Sequence, residues 1–200
     1  MIRVELLYKY PSDELLLGRV AQTCTGYDDK FEVFKDEEDH LIRILEHCYK
    51  LKHMSVFEFG GMVFRMRTPI FVARQLMRYR SSSFMERSLR HCKPLPLGDD
   101  PFYTEEMRKI YDESLVRYNA LIEQGVKKEV ARGVLPTFTP TIWLWKINCR
   151  SLVHVFDERL APSAQGLTRD VVKEMKKLFK ENFYTLNWIY EKYDDERKGF

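Results

Sequence analysis

The segment RYRSSSFMERSLR, Arg78 to Arg90, brings four arginines, four serines, a glutamate and a tyrosine into thirteen residues. A guanidinium keeps its charge and presents its donors in a rigid fork, which suits phosphate oxygens and planar carbonyl edges. Arg78, Arg80, Arg87 and Arg90, with the hydroxyls of Ser81, Ser82, Ser83 and Ser88 and the N–H groups of a loop, would form an anion cradle. The same composition also describes a solvated basic loop whose arginines pair with Glu86 and other acids. Glu86 itself fits two roles, accepting from a substrate N–H or anchoring a neighbouring guanidinium. Upstream, in PIFVARQLM, Arg74 and Gln75 extend the cluster along an otherwise apolar helix, where buried-facing polar groups need partners.

A second candidate group is His53, Ser55 and Glu58 in HMSVFEF, although a lone histidine near a strand is also a common packed or surface residue. Cys149, in NCRS, has Arg150 beside it but nothing else that would depress its pKa, so no nucleophile is assigned there. Cys24, Cys48, Cys92 and Cys149 show no CxxC spacing. The five histidines form neither HExxH nor a Cys/His ligand pair, so no metal site is expected. MIRVELLYKY lacks an apolar signal core, which with unpaired cysteines points to a reduced, cytoplasmic protein. No apolar run approaches the roughly 20 residues that span a bilayer. The net charge of +3, from 33 basic and 30 acidic residues, argues against nucleic-acid binding and makes any cationic function local.

The elements that must position these residues follow from pattern. Two hundred residues with 44% hydrophobic and 14% aromatic content suit one domain over the whole chain, 1–200. Ile2, Val4, Leu6 and Tyr8 alternate as a strand that Pro11 stops, and Ser12 or Asp13 caps a short helix over Leu15–Val20. Gly26–Phe34 is turn-like. From Asp36, the spacing of Leu41, Ile42, Leu45, Cys48 and Tyr49 predicts an amphipathic helix. Val56–Thr68 has strand character, with Met62, Phe64 and Met66 on one face. Pro69 then opens a helix carrying Phe71, Arg74, Gln75 and Arg78 on one stripe. Thr104 starts a long helix that ends at Gly125, and a shorter one covers Lys127–Val134. Thr137–Ile147 is rich in β-branched and aromatic residues, and Pro140 restricts any strand there to an edge. From Asn148, Leu152, Val155 and Phe156 put Arg159 on an apolar stripe. One last long helix is expected from Thr168 through Tyr193, before the polar tail DDERKGF. The fold class expected is α+β, mainly helical around a small sheet.

The segment RYRSSSFMERSLR resembles the signature of the flavin-dependent thymidylate synthases (ThyX), written RHRxxSxxxxSxR, with Arg78, Arg80, Ser83, Ser88 and Arg90 matching in order and spacing. HMSVFEF, PIFVARQ, EVARGVLP, NCRSLVHVFDER and AQGLTRD resemble further blocks of the same family, so the likeness runs from His53 to Arg169. The resemblance implies a ThyX-like fold with a small antiparallel sheet. It implies a homotetramer with active sites built from several subunits, binding FAD, dUMP, methylenetetrahydrofolate and NADPH. The reaction implied is transfer of carbon to C5 of the uracil ring, with hydride from reduced flavin and no cysteine nucleophile. By resemblance, His53, Ser55, Glu58, Arg78, Tyr79, Arg80 and Arg159 border the flavin or folate. Gln75, Glu86, Ser88, Arg90 and Arg169 hold the nucleotide, with Arg169, Arg90 and Ser88 as the catalytic set.

The chain departs from the family pattern at several positions. Tyr79 replaces the motif's histidine; it can stack on a ring but, with a reference pKa of about 10, cannot become a cation. Leu89 replaces a glycine and could restrict backbone approach to a phosphate. Ile142 stands where the family carries an arginine that helps bind dUMP, Leu167 and Thr168 replace Glu and Ile, and Asp157 replaces an asparagine common near the flavin. Besides dUMP methylation, two readings stay open: methylation or hydroxymethylation of another pyrimidine nucleotide, and a catalytically weak flavin- or nucleotide-binding protein.

Overall fold

The computed structural model describes residues 2–23 and 37–198, with side chains through residue 193. Gly26–Phe34 and Cys24 lie outside the described residues. Four strands form one sheet in the order β1-β2-β4-β3: β1 Arg3–Tyr10, β2 Gly61–Pro69, β3 Ser82–Glu86 and β4 Pro140–Asn148. Register contacts show that neighbours run antiparallel. Arg65 of β2 meets Glu5 of β1 at 2.9 Å, while the backbone of Gly61 approaches Tyr10. The N–H of Ile70 donates to the Thr139 carbonyl just before β4, while the N–H of Cys149 just after it donates to Gly60. Two compact units share this chain, Met1–Glu5 with Arg65–Trp145, and Leu6–Phe64 with Lys146–Phe200.

In the first unit, β2 buries Met66 and Thr68 and β4 buries Thr141, Trp143 and Trp145. The indole N–H of Trp143 donates to Thr68 Oγ1 at 3.0 Å, so a buried hydroxyl and a buried N–H satisfy one another. Pro140 is the first residue of β4, and β4 lies inside the sheet, between β2 and β3. The edge position expected from Pro140 is therefore wrong: at a strand's first residue the missing N–H removes no ladder bond. Pro69 closes β2 and precedes helix α3, Ile70–Leu76. No side chain caps α3; instead the N–H groups of Ile70 and Phe71 donate to the carbonyls of Thr139 and Thr137 at 3.0 and 3.1 Å. Helix α4, Glu105–Glu123, follows Thr104, whose hydroxyl accepts from the Met107 N–H at 3.2 Å as its sequence position predicts. Its Tyr111 packs with Leu97 and Tyr103 in a cluster flanked by Phe102 and Phe138. A short helix α5, Lys128–Ala131, continues as a 3-10 turn over Arg132–Val134.

In the second unit, helix α1, Leu16–Gln22, lies against α2, Glu38–Lys50, with no room at Gly18, where a Cβ would stand 2.9 Å from Leu41 Cβ. Leu41, Leu45, Cys48 and Tyr49 form the buried face of α2. The expected strand over Val56–Thr68 begins only at Gly61, and Met54–Glu58 is a 3-10 turn. Asn148 caps α6, Cys149–Arg159, its Oδ1 accepting from the Ser151 N–H at 2.8 Å. The single C-terminal helix expected from Thr168 is two: α7, Gly166–Asn182, and α8, Tyr184–Lys198. Phe183 breaks them at φ −128° and ψ 67° because its ring is fully buried against Phe179, 5.5 Å between centroids. The carboxylate of Glu14 then accepts from the N–H groups of Thr185 and Leu186 at 2.9 and 3.3 Å, capping α8 from a distant part of the chain. No described helix is long and apolar enough to cross a membrane.

Candidate functional site

The arginine-rich segment is not one loop. α3 ends at Leu76, so Arg78 falls past the helix rather than on its stripe, in a turn that leads into the irregular segment of Tyr79 and Arg80. Ser82–Glu86 then forms edge strand β3, and Ser88 to Cys92 turns again, with the Ser88 carbonyl accepting from the N–H groups of His91 and Cys92. An aromatic ladder fixes both turns. Phe84 stacks on Trp145 at 5.7 Å, Trp145 on Trp143 at 5.6 Å, and the Tyr79 ring packs on Trp145 at 6.2 Å. Ser82 Oγ accepts from the Trp145 indole N–H at 2.9 Å and donates to the Tyr79 carbonyl. Tyr79 is thus held by packing, and the guanidiniums of Arg78 and Arg80 on either side have no hydrogen bond or ion pair among the described residues.

Beside this segment lies a cavity of about 310 Å³ lined by Arg74, Glu86, Arg87, Leu89, Arg132 and Thr141, among others. Arg87 is positioned twice: its N–H donates to the Ile142 carbonyl at 2.9 Å, and its Nη2 donates to the Lys93 carbonyl at 3.3 Å. Its Nε is buried with no partner. Arg132 is anchored by Nε to the Glu129 carbonyl at 3.2 Å. Leu89 contributes a wall. Lys52 is the one non-glycine among the described residues with positive φ, so the backbone at Leu89 demands no glycine. Of the predicted nucleotide residues, Gln75 lies on α3 and Glu86 in the cavity wall. Ser88 Oγ accepts from the Arg90 N–H at 3.3 Å, while Arg90 pairs with Glu129 at 3.2 Å.

The remaining predicted residues belong to the second unit. Helix α2 closes with the N–H of His53 donating to the Cys48 carbonyl and that of Lys52 to Tyr49, around Lys52 at φ 59°. This paired arrangement is the left-handed C-terminal cap usually made by glycine, here made by lysine, and it aims the chain so that His53 begins the next turn. His53 and Ser55 line a cavity of about 800 Å³ among the described residues, together with His40, Arg43 and His47. Glu58 pairs with Arg150 at 2.5 Å. Arg159 is the last residue of α6. Arg169 sits in the first turn of α7, one Nη donating to the Pro162 carbonyl at 2.9 Å while its Nε is buried without a partner. Burial pushes the Cys149 thiol well above its ordinary range, and the charge of Glu14 adds to this, so the thiol stays protonated.

Sequence reasoning gave Arg132 no role, although it sits in the quoted EVARGVLP block. Its place beside Arg74 and Arg87 depends on a 3-10 turn delivering it from far along the chain, a juxtaposition without local signal.

The fold is shared with a crystal structure titled UMP/dUMP methylase PolB from Streptomyces cacaoi bound with 5-Br dUMP, at a TM-score of 0.80 and 23% identity, covering 96% of this chain and 95% of that one. Residues 5–183 match the family model described as thymidylate synthase complementing protein, Thy1. The flavin-dependent thymidylate synthase of Thermotoga neapolitana is 34% identical over 170 residues, 78% of this chain and 77% of the relative. That of Thermosipho melanesiensis is 30% identical over 201 residues, 87% and 83% of the two chains. The chain belongs to the flavin-dependent thymidylate synthase (Thy1) family of enzymes.

Proposed function

We propose that this enzyme methylates C5 of dUMP, using FAD, with methylenetetrahydrofolate as carbon donor and NADPH as reductant. The observation that carries the reading is the family match over residues 5–183, within which the arginine motif keeps its spacing. The residues present fit a flavin. Arg78 and Arg80 offer uncommitted guanidiniums suited to a diphosphate, and His53 and Ser55 line a cavity whose size is in the range of ligand pockets. Glu58, Tyr79 and Arg159 complete the proposed flavin and folate contacts. When bound, the flavin supplies the hydride.

For the nucleotide, Gln75 and Glu86 orient the sugar and base, and Ser88 and Arg90 hold phosphate. Arg169 donates its buried, unpartnered Nε–H to the pyrimidine carbonyl edge, stabilising negative charge as C5 becomes nucleophilic. No step uses Cys149, whose thiol stays protonated. In the proposed homotetramer, each of these sets meets its ligand in the company of residues from other copies. Leu89, projecting into the cavity where the family pattern has glycine, favours a second reading in which another pyrimidine nucleotide is methylated or hydroxymethylated.

The test incubates reduced, flavin-loaded enzyme with methylenetetrahydrofolate and a panel of pyrimidine nucleotides, and identifies products by mass. dTMP formed from dUMP is expected. A modified nucleotide other than dTMP would establish the second reading, and protein that binds no flavin would sink both.

A further inference from the structure

We propose that Ser82 is a positioning residue for the flavin diphosphate: through one hydroxyl it ties the backbone between Arg78 and Arg80 to the fixed place of Trp145 in the sheet. The inference rests on the flavin reading above, and Ser82 stands at a position that the motif RHRxxSxxxxSxR leaves open. β4 lies inside the sheet, and its Trp143 and Trp145 are fully buried and stacked at 5.6 Å. Each donates its indole N–H to a hydroxyl of a neighbouring strand, Trp143 to Thr68 Oγ1 in β2 at 3.0 Å and Trp145 to Ser82 Oγ in β3 at 2.9 Å. Each hydroxyl then donates its own proton to a backbone carbonyl, Thr68 to Pro69 at 3.2 Å and Ser82 to Tyr79. Pro69 precedes α3 and Tyr79 follows it, so two tryptophans of one strand hold the chain on both sides of that helix.

The relay through Ser82 bears on the arginines. Tyr79 is held at its N–H, its ring and its carbonyl: the N–H donates to the Leu76 carbonyl at 3.2 Å, the ring packs on Trp145 at 6.2 Å, and the carbonyl accepts from Ser82. Two of those three contacts lead back to Trp145. Arg78 and Arg80 leave the chain on either side of this pinned residue, and neither guanidinium has a hydrogen bond or ion pair among the described residues, so it is the backbone that sets where the two forks start. Forks whose stems are fixed beforehand lose less freedom when they close on a diphosphate. Linking an indole N–H to a carbonyl through one atom requires a group that both accepts and donates; the hydroxyls of serine and threonine do so, and alanine does neither. Removing the Ser82 hydroxyl therefore strands the buried indole N–H of Trp145 and releases the Tyr79 carbonyl in a single change.

Three variants separate positioning from stability. Ser82→Ala breaks the relay to Tyr79, Ser82→Thr keeps the hydroxyl on a residue suited to a strand, and Thr68→Val breaks the matching relay at Trp143 as a control for the loss of a buried hydroxyl. Limited trypsin digestion, with fragments identified by mass, reads the segment directly, because trypsin cuts after arginine. Dilution of the purified flavin-loaded proteins, with released FAD followed by its fluorescence, gives the flavin affinity. Relative to other cleavage sites, Ser82→Ala is expected to be cut about 5- to 10-fold faster after Arg78 and Arg80, and to bind FAD about 5- to 10-fold more weakly. Ser82→Thr should stay near wild type, and Thr68→Val should lower the melting temperature without either local effect. If Ser82→Ala is cut at these two sites no faster than Thr68→Val, the segment is not held through Ser82 and the proposal falls. Faster cutting with wild-type FAD affinity would mean that the segment does not hold the diphosphate, which overturns the proposal and leaves the flavin enzyme standing. If wild-type protein binds no FAD, the flavin reading falls and takes the diphosphate role with it, whereas the digestion still decides whether Ser82 pins the segment.

Discussion

The two compact units treat arginine differently. In the unit containing Arg65–Trp145, Arg74, Arg87 and Arg132 stand around one cavity with a single carboxylate among them. In the unit containing Lys146–Phe200, three arginines each have a tether of their own: Arg150 to Glu58 at 2.5 Å, Arg169 to the Pro162 carbonyl at 2.9 Å, Arg19 to Asp13 at 2.8 Å. The first arrangement concentrates positive charge around one cavity. The second uses most of each fork internally and leaves, at Arg169, one directed N–H. The number of arginines in a stretch therefore says less about function than the part of each fork left over.

That contrast predicts that damage to the second unit's arginine should fall on turnover and damage to the first unit's on nucleotide affinity. Arg169→Ala is expected to lower turnover about 100- to 1,000-fold, a loss of about 2.7–4 kcal/mol of transition-state stabilisation, while flavin absorbance of the purified protein persists. Loss of flavin in that variant would break the comparison. A test of the second unit's rigidity is Gly61→Ala, whose Cβ would stand 2.4 Å from both the Ile147 carbonyl and the Tyr10 hydroxyl. Because a backbone oxygen cannot simply rotate away, a destabilisation of about 1–3 kcal/mol is expected in urea unfolding.

The first unit should show its own weakness at high pH. Burial raises the Tyr103 and Tyr111 hydroxyls to about 12, with the charge of Asp100 adding at Tyr103. An unfolded tyrosine loses its proton near 10, so from there to about 12 the folded state holds protons that the unfolded chain has lost. Stability is intact below pH 10 and falls as pH rises through this window. Thermal melts across it should show a declining midpoint, and Tyr111→Phe should flatten the decline. The smallest expected effect is at Lys52, whose φ of 59° is unfavourable for any residue with a Cβ. Lys52→Gly should stabilise the protein by up to about 1 kcal/mol by the same unfolding assay, since the strain relieved is partly offset by the greater entropy of an unfolded glycine.

Lys52 also shows what the sequence conceals. The helix Glu38–Lys50 was legible from the spacing of Leu41, Leu45 and Cys48, but its end was not, because the left-handed cap that orients His53 is usually announced by glycine. Thr104 and Asn148 were legible as helix starts because capping is a local bond between neighbours in sequence. Strand β3 was hidden inside the arginine motif: its hydrophobic residue Phe84 has meaning only against Trp143 and Trp145, brought from the far side of the chain. The division at Phe183 was hidden for the same reason, since the carboxylate that caps the next helix is Glu14. At the site, the motif arginines could be read directly, whereas Arg132 could not, and whether an arginine was already paired depended on distant acids such as Glu129.

Of the three tryptophans in the chain, Trp143 and Trp145 are fully buried and stacked, while Trp188 is 43% exposed. Tyr79 packs on Trp145, and Phe84, on the strand leading to Arg87, packs on both tryptophans. This gives the protein an intrinsic optical reporter: blue-shifted emission and a coupled near-ultraviolet circular dichroism band arise beside the arginine turns, and red-shifted emission arises from Trp188. A ligand that settles against Tyr79 is expected to perturb the first signal, so occupancy can be followed by light without attaching a label.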